Sequence, residues 1–255
     1  LYNITPKTLF IGRKVLFLPT CHSTNDIAAS LIREGEVWEG IIVITSDQTR
    51  GRGQRGNQWE AEAGKNLTFS VILKPTFVTA NDQFQLNIAI SLGIHDFLSV
   101  HFPKEAIKIK WPNDIYHKDR KLGGVLIENA LKKYDIETSV VGIGLNVNQT
   151  AFANEKAVSM KMASGQSQDY NLEELLATLA ESMERNYLLL KNGRQATMKE
   201  LYLQNLYRYQ TPHRFRQNDQ IFEGQIEDVD AFGRLVVLTN GSLRHFSLKE
   251  IEFIE

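Results

Sequence analysis

Short strand-like and helix-like runs succeed one another in this chain without the strict alternation that a doubly wound parallel sheet requires, and that irregularity constrains the fold most. Gly40-Ile41-Ile42-Val43-Ile44-Thr45 is short, continuous and β-branched, the pattern of a buried strand. Residues 66–73 read as another strand that stops at Pro75, and residues 14–18 as a strand ending at Pro19, which has no ladder donor. Between them Ser23-Thr24-Asn25-Asp26 opens a helical pattern with Ile27, Ala28, Leu31 and Ile32 on one face and Gly35 at the C-terminal cap. The apolar spacing over 83–102 predicts a helix with Gly93 in its interior, and 107–111, 115–116, 124–127 and 138–147 read as strands. Residues 172–191 form an amphipathic helical pattern and 198–207 another. The sum is an α+β domain on a mixed sheet.

After Thr211-Pro212 the pattern changes to short alternating runs with turns at Asn218-Asp219 and Asn240-Gly241. An Asn-Gly pair between alternating runs signals a hairpin. The expected division is therefore a large domain over residues 1–210 and a small all-β domain over 211–255. A chain of 255 residues is long enough for both. Its net charge of −1 gives no global attraction to nucleic acid or to an anionic membrane. One cysteine, Cys21, allows neither an intramolecular disulfide nor a Cys-rich metal site. There is neither a secretory signal pattern nor an apolar run long enough to cross a membrane. The expectation is a cytoplasmic protein.

Four short stretches carry chemistry. In Gln48-Thr49-Arg50-Gly51-Arg52-Gly53-Gln54-Arg55-Gly56, glycines let backbone amides approach an anion and arginines supply fixed charge. It is neither a Walker A loop nor a dinucleotide fingerprint, and alone it reads equally as a basic surface loop. Lys110-Trp111-Pro112-Asn113-Asp114 suits a turn, with Lys121-Leu122-Gly123-Gly124 close behind it. Gly142-Ile143-Gly144-Leu145-Asn146 puts two glycines into a strand, a mark of a bulge or of close approach by a ligand. In His22-Ser23-Thr24-Asn25 the hydroxyls most simply cap the following helix.

Together and in this order, from about residue 16 to 148, these stretches resemble the catalytic region of biotin protein ligases. That family's pattern is a Ser-Thr-Asn helix start, a Gly-Arg-Gly-x-x-Gly loop, Lys-Trp-Pro-Asn-Asp, Lys-Leu-x-Gly and a Gly-x-Gly-x-Asn strand. The resemblance implies a class II synthetase-like catalytic domain of the biotin/lipoate ligase type, followed by an SH3-like β-barrel. It implies ATP-dependent activation of biotin to biotinyl-5'-AMP and transfer to a lysine of a biotin carboxyl carrier domain, with Mg²⁺ accompanying ATP. On the matching positions, Ser23, Thr24, Gln48 and the backbone near Gly51 and Arg52 would hold the ureido ring. Gly124, Gly142 and Gly144 would lie along the bicyclic ring and valeryl chain. Lys121 would meet the biotin carboxylate and then the adenylate phosphate, acting with Arg52 and Asp114 as the catalytic set. Arg52, Arg55, Trp59, Asn113, Lys121 and Asn146 would face the nucleotide, with Asn146 on the metal side. Asp114 would orient the incoming lysine.

The sequence departs from the family pattern at Gln54 and Asn57, where members often carry arginine. Bifunctional members also have an N-terminal helix-turn-helix domain. About a dozen residues precede the first strand here, fewer than the ~50 a domain needs, so the expectation is no DNA partner. A monomer or a homodimer is expected. Lipoate ligases and octanoyl transferases share the fold, and the transferases use a cysteine nucleophile. Cys21 lies beside a helix cap, away from the glycine strand. A non-catalytic biotin-responsive regulator is the alternative from another class, opposed by the intact Lys121, Arg52 and Asn146.

Overall fold

The computed structural model of the chain describes residues 2–35 and 37–254, and of Arg55 the backbone alone. A seven-stranded sheet runs in the order β1-β2-β3-β7-β6-β5-β4. Its strands are β1 (Val15–Cys21), β2 (Ile42–Gln48), β3 (Leu67–Leu73), β4 (Ile107–Lys110), β5 (Asp114–His117), β6 (Arg120–Lys132) and β7 (Asp135–Leu145). β1 and β2 pair parallel and the other neighbours antiparallel, so the sheet is mixed. The parallel pair requires a crossover, and helix α1 (Thr24–Glu34) supplies it. Ser23 stands at its N-cap, and Gly35 closes it at φ 82, donating its N–H to the Ile32 carbonyl.

Side chains alternate across a strand, so the two faces of the sheet differ. Val71 and Val141 belong to the main core with Ile90 and Ile94 of α2 (Phe84–Leu98) and Leu179 and Met183 of α4 (Leu172–Lys191). A Cβ on Gly93 would lie 2.9 Å from the Met183 Cα, so only glycine lets these helices approach so closely. The opposite face packs Val43, Ile72 and Val140 against Ala28 of α1, and beyond that patch it is left for a cavity. A short helix, α3 (Met160–Ser164), follows β7, and α5 (Gln195–Gln204) follows α4. At the N-terminus the buried Glu184 carboxylate accepts the backbone N–H groups of Leu9, Phe10 and Ile11 at 2.6, 2.8 and 2.9 Å.

The C-terminal segment forms a five-stranded antiparallel sheet ordered β11-β10-β9-β8-β12. Its strands are β8 (Pro212–Gln217), β9 (Gln220–Val229), β10 (Leu235–Thr239), β11 (Ser242–Phe246) and β12 (Glu252–Phe253). Asn218-Asp219 and Asn240-Gly241 form the two-residue turns, with φ of 47, 65, 50 and 73. Positive φ at both central residues gives a turn whose twist matches its strands.

This sheet docks on the larger one. The Trp111 indole N–H donates to the Gly233 carbonyl at 2.9 Å, and Lys199 pairs with Asp228 at 2.9 Å. The Lys110 ammonium stands 4.7 Å from the Tyr116 ring centroid and 5.1 Å from that of Phe253. Burial, helped by Arg208, Lys121 and Lys156, pushes the Lys110 amine below the ordinary lysine range, and Asp114 opposes this.

α2 stops at Leu98 rather than at residue 102 and α5 starts at Gln195 rather than at residue 198, and three further departures stand out. β1 continues through Pro19 to Cys21, because β1 is an edge strand where a missing donor is tolerated. The last helix ends at Gln204 rather than at residue 207. Residues 205–207 instead cover the edge of β4, with Ile109 N–H donating to the Asn205 carbonyl and Tyr207 N–H to that of Ile109. The short α3 has no counterpart in the apolar periodicity.

Candidate active site

The floor of the site is a patch of sheet without side chains. Gly124 of β6 pairs directly with Gly144 of β7, and Gly142 pairs with Ser70 of β3 and Leu126 of β6. Alternation puts all three glycines on the α1 side of the sheet. A Cβ on Gly144 would lie 2.2 Å from Cε2 of Trp59, and one on Gly142 would lie 2.3 Å from Oδ1 of Asn25. A side chain at Gly142 or Gly144 would collide with what lies above. A cavity of about 220 Å³ opens over this floor.

One end of the cavity is polar and uncharged. Ser23 is buried, and its side chain makes no cap hydrogen bond although it occupies the N-cap. The simplest sequence reading, a capping hydroxyl, therefore fails, and Ser23 lines the cavity instead. Thr24 N–H donates to Oε1 of Gln48 at 2.9 Å. A backbone N–H can only donate, so the Gln48 oxygen must face it and its NH₂ is left for a ligand acceptor.

The other end is charged. Lys121 Nζ contacts Asp114 Oδ1 at 2.7 Å and stands 5.9 Å from the Trp59 ring centroid. A register shift between Ile115 and Tyr116 sets this up, since Gly124 faces Asp114 while Lys121 faces Tyr116. Asn113 lines the cavity, but its amide donates to the Val125 carbonyl while Val125 N–H donates back to the Asn113 carbonyl at 2.9 Å. Its side chain therefore ties the turn before β5 to β6. Asn146 lies behind the cavity rather than on it: its amide donates to the Val158 carbonyl at 3.2 Å, and its buried Oδ1 has no partner.

The glycine-arginine loop folds over this space as a hairpin. Trp59 N–H donates to the Gly51 carbonyl at 3.0 Å and Gly53 N–H to that of Asn57 at 2.7 Å, around a 3₁₀ turn at Gln54–Gly56. A Cβ on Gly51 would lie 2.1 Å from the Trp59 carbonyl oxygen, so the glycine is needed for the closure itself. The Trp59 indole N–H is buried without a partner. Arg52 contacts Glu128 through both nitrogens, at 3.0 and 2.9 Å, and Asp26 at 2.7 Å. Its charge is thus already balanced by carboxylates.

Ser23, Thr24, Gln48 and Arg52 all reach the cavity, as do Trp59, Asp114 and Lys121 and the three floor glycines. Gly51 lies instead on an adjoining outer cleft of about 790 Å³. The Arg55 side chain lies outside the described residues. Sequence reasoning missed Asn25, Asp26 and Glu128, which tie the loop to the floor, and Leu248 and Lys249, which reach the cavity from the C-terminal sheet. Alternation along β6, which puts Gly124, Leu126 and Glu128 on one face, was the one local signal available. Cys21 does not line the cavity, and burial pushes its thiol above the ordinary range, partly offset by a hydrogen bond with Thr45. It is no counterpart of a cysteine nucleophile.

The model of the biotin/lipoate A/B protein ligase family matches residues 17–147, more than half of the chain. The chain belongs to this family. A second model, the biotin protein ligase C terminal domain, matches residues 214–253. This family member is 26% identical over 254 residues to the bifunctional ligase/repressor BirA of Bacillus subtilis, covering 96% of this chain and 76% of that protein. It is 29% identical over 224 residues to a biotin–[acetyl-CoA-carboxylase] ligase of Paracoccus denitrificans, covering 84% and 90%. Its fold is that of the biotin protein ligase from Aquifex aeolicus in complex with biotin and ATP, with TM-score 0.77, 24% identity, and 94% and 98% of the two chains covered. Some relatives are longer, and the chain spans 52% of biotin–protein ligase 1 of Arabidopsis thaliana.

Proposed function

We propose that the chain is a biotin protein ligase, with a catalytic domain over residues 1–210 and an SH3-like domain over 211–255. The observation that carries this is one cavity with a glycine floor, an uncharged donor and acceptor end at Thr24 and Gln48, and a Lys121–Asp114 pair at the other end. Biotin has the matching layout: a cyclic urea with N–H donors and a carbonyl acceptor, an apolar body, and a carboxylate.

In the first step a carboxylate oxygen of biotin attacks the α-phosphorus of ATP, and the bond to the bridging oxygen breaks to release pyrophosphate. Lys121 would hold the carboxylate and stabilise charge growing on the phosphoryl oxygens, a task of preorganised electrostatics. In the second step a neutral lysine of the carrier attacks the acyl carbon and AMP leaves. Asp114, released from Lys121 as that residue turns to the phosphate, would take the amine proton. Trp59 lies between floor and loop, with its indole N–H available to a ligand acceptor. Arg52, Arg55 and the turn at Asn113 would complete the nucleotide side, with Gly51 shaping the loop.

ATP brings Mg²⁺, which takes most of its oxygen ligands from phosphate and water. Asn146 is buried behind the cavity, so its partnerless Oδ1 would meet the ion only through a water between them. When bound, the ion would neutralise phosphate charge. The partner that this reading implies is the biotin carrier domain of a biotin-dependent carboxylase. No helix among the described residues is long and apolar enough to cross a membrane, and a cytoplasmic setting is proposed.

Isotope exchange between pyrophosphate and ATP tests the first step. Exchange that depends on biotin, and not on lipoate, is the expected result. Exchange that responds to lipoate, or to neither acid, would overturn the reading.

A further inference from the structure

Glu128 follows Gly124 and Leu126 on the cavity side of β6, and its carboxylate joins two parts of the site. On the loop side it accepts from both Arg52 nitrogens, and on the floor side its Oε2 accepts from Asn25 Nδ2 at 2.7 Å. The chain of contacts continues inward. Ser70 Oγ lies 2.6 Å from Oδ1 of Asn25 and 2.7 Å from Oγ1 of Thr24. Thr24, Asn25 and Ser70 are all buried, so water does not rearrange these bonds.

The direction of every proton in this chain follows from its outer end. A carboxylate only accepts, so Asn25 must turn its NH₂ to Glu128 and its oxygen to Ser70. That oxygen only accepts, so the single Ser70 proton goes to it. Ser70 must then accept from Thr24, the one donor left beside it. The Thr24 proton is therefore directed into the protein, toward Ser70 at 2.7 Å rather than toward the more distant Gln48 Oε1 at 3.4 Å. What remains toward the cavity is lone pair.

We propose that Glu128 is a specificity-determining positioning residue, which through Asn25 and Ser70 makes the Thr24 hydroxyl present an acceptor to the ring of the bound acid. This rests on the ligase reading above and deepens it. With the Gln48 NH₂ alongside, and Ser23 lining the same end, the ring end offers one fixed acceptor and one fixed donor beside a hydroxyl that can act as either. A cyclic urea satisfies both. A dithiolane ring satisfies neither, and would leave both buried groups unpaired.

Two variants test the direction of the chain. In Glu128→Gln the new amide can offer its NH₂ to Asn25, so the Asn25 amide, Ser70 and Thr24 are free to reverse. Ser70→Ala cuts the chain and leaves Arg52 and its carboxylates in place. Both should raise the KM for biotin in pyrophosphate exchange by on the order of tenfold, the effect of one mispaired buried group, with the KM for ATP within about twofold. A biotin analogue methylated on the ureido nitrogens lacks the donors, so the variants should bind it no worse than the parent chain does. A loss that appears in Glu128→Gln but not in Ser70→Ala would trace to Arg52 and the loop, and overturn the proposal. So would a loss shared equally by biotin and its methylated analogue. Failure of the parent chain to exchange with biotin at all would overturn the ligase reading and this inference with it.

Discussion

Adding one methyl group at the floor isolates what the glycines do. Gly144 is not in a left-handed conformation, so alanine there costs nothing in the backbone; the whole effect is steric. Its Cβ would lie 2.2 and 2.4 Å from Cε2 and Cζ2 of Trp59. Ordinary carbon contacts are roughly 3.5–4.0 Å, so the indole must retreat by about 1.5 Å. Overpacking a rigid core costs about 1–3 kcal/mol, and the cost to stability should sit at the low end because Trp59 is carried by a loop. The cost to turnover should be larger, since misplacement by about 1 Å near reacting groups lowers rates by about a hundredfold. We expect Gly144→Ala to lower kcat/KM for biotin-dependent exchange by roughly 10–100-fold, or about 1.4–2.8 kcal/mol. Tryptophan emission should shift to the red, measured with Trp38→Phe as background so that only Trp59 and the buried Trp111 contribute. Gly124→Ala is the internal control, because its nearest contact is 3.2 Å, to Oδ1 of Asp114. It should be much milder. Equal losses in the two variants, or a Gly144→Ala protein with unchanged kinetics and emission, would refute the argument that the floor must be bare.

Gln54 lines the cavity as a neutral amide; a charge-assisted contact exceeds a neutral one by about 1 kcal/mol or more, so Gln54→Arg should slow release of the adenylate several-fold in a fluorescence chase. An unchanged release rate would assign that place to another arginine. Glu184→Ala would leave three N–H groups at Leu9, Phe10 and Ile11 without their acceptor. It should cost about 2–4 kcal/mol in urea unfolding, and a loss below about 0.5 kcal/mol would show that water replaces the carboxylate. Burial, then Lys118 and Arg120, hold His117 below the usual histidine value of 6.5. The unfolded chain therefore takes up the proton first, so stability is lost as pH falls below about 6.5. His117→Gln should flatten the slope of Tm against pH on that side, and a slope at least as steep as the parent's would contradict the assignment.

Much of this site was legible in the sequence because its parts are local. Lys121 beside Gly123-Gly124, the glycines at 142 and 144, and the loop glycines each declare a close approach within a few residues. The same holds for α4, whose bounds follow its apolar periodicity, and for the Asn240-Gly241 hairpin. What the sequence did not yield depends on register between distant strands. Glu128 meets Arg52 only because β6 lies beside β7 and the loop folds back over both. Leu248 and Lys249 reach the cavity only because the second sheet docks beside Trp111. The amide of Asn113, which lines the cavity, bonds to Val125 across a strand pairing that no local pattern announces.

Intact-mass measurement of a biotin carboxyl carrier domain, incubated with this protein, ATP, Mg²⁺ and biotin, tests the central claim most directly. The account predicts addition of one biotinyl group per carrier, absent with lipoate. It should also be lost in Lys121→Ala, which should still bind biotin within a few-fold of the parent affinity, because Lys121 acts mainly on charge that develops during the reaction. Full transfer by Lys121→Ala, or no transfer by the parent protein, would contradict it.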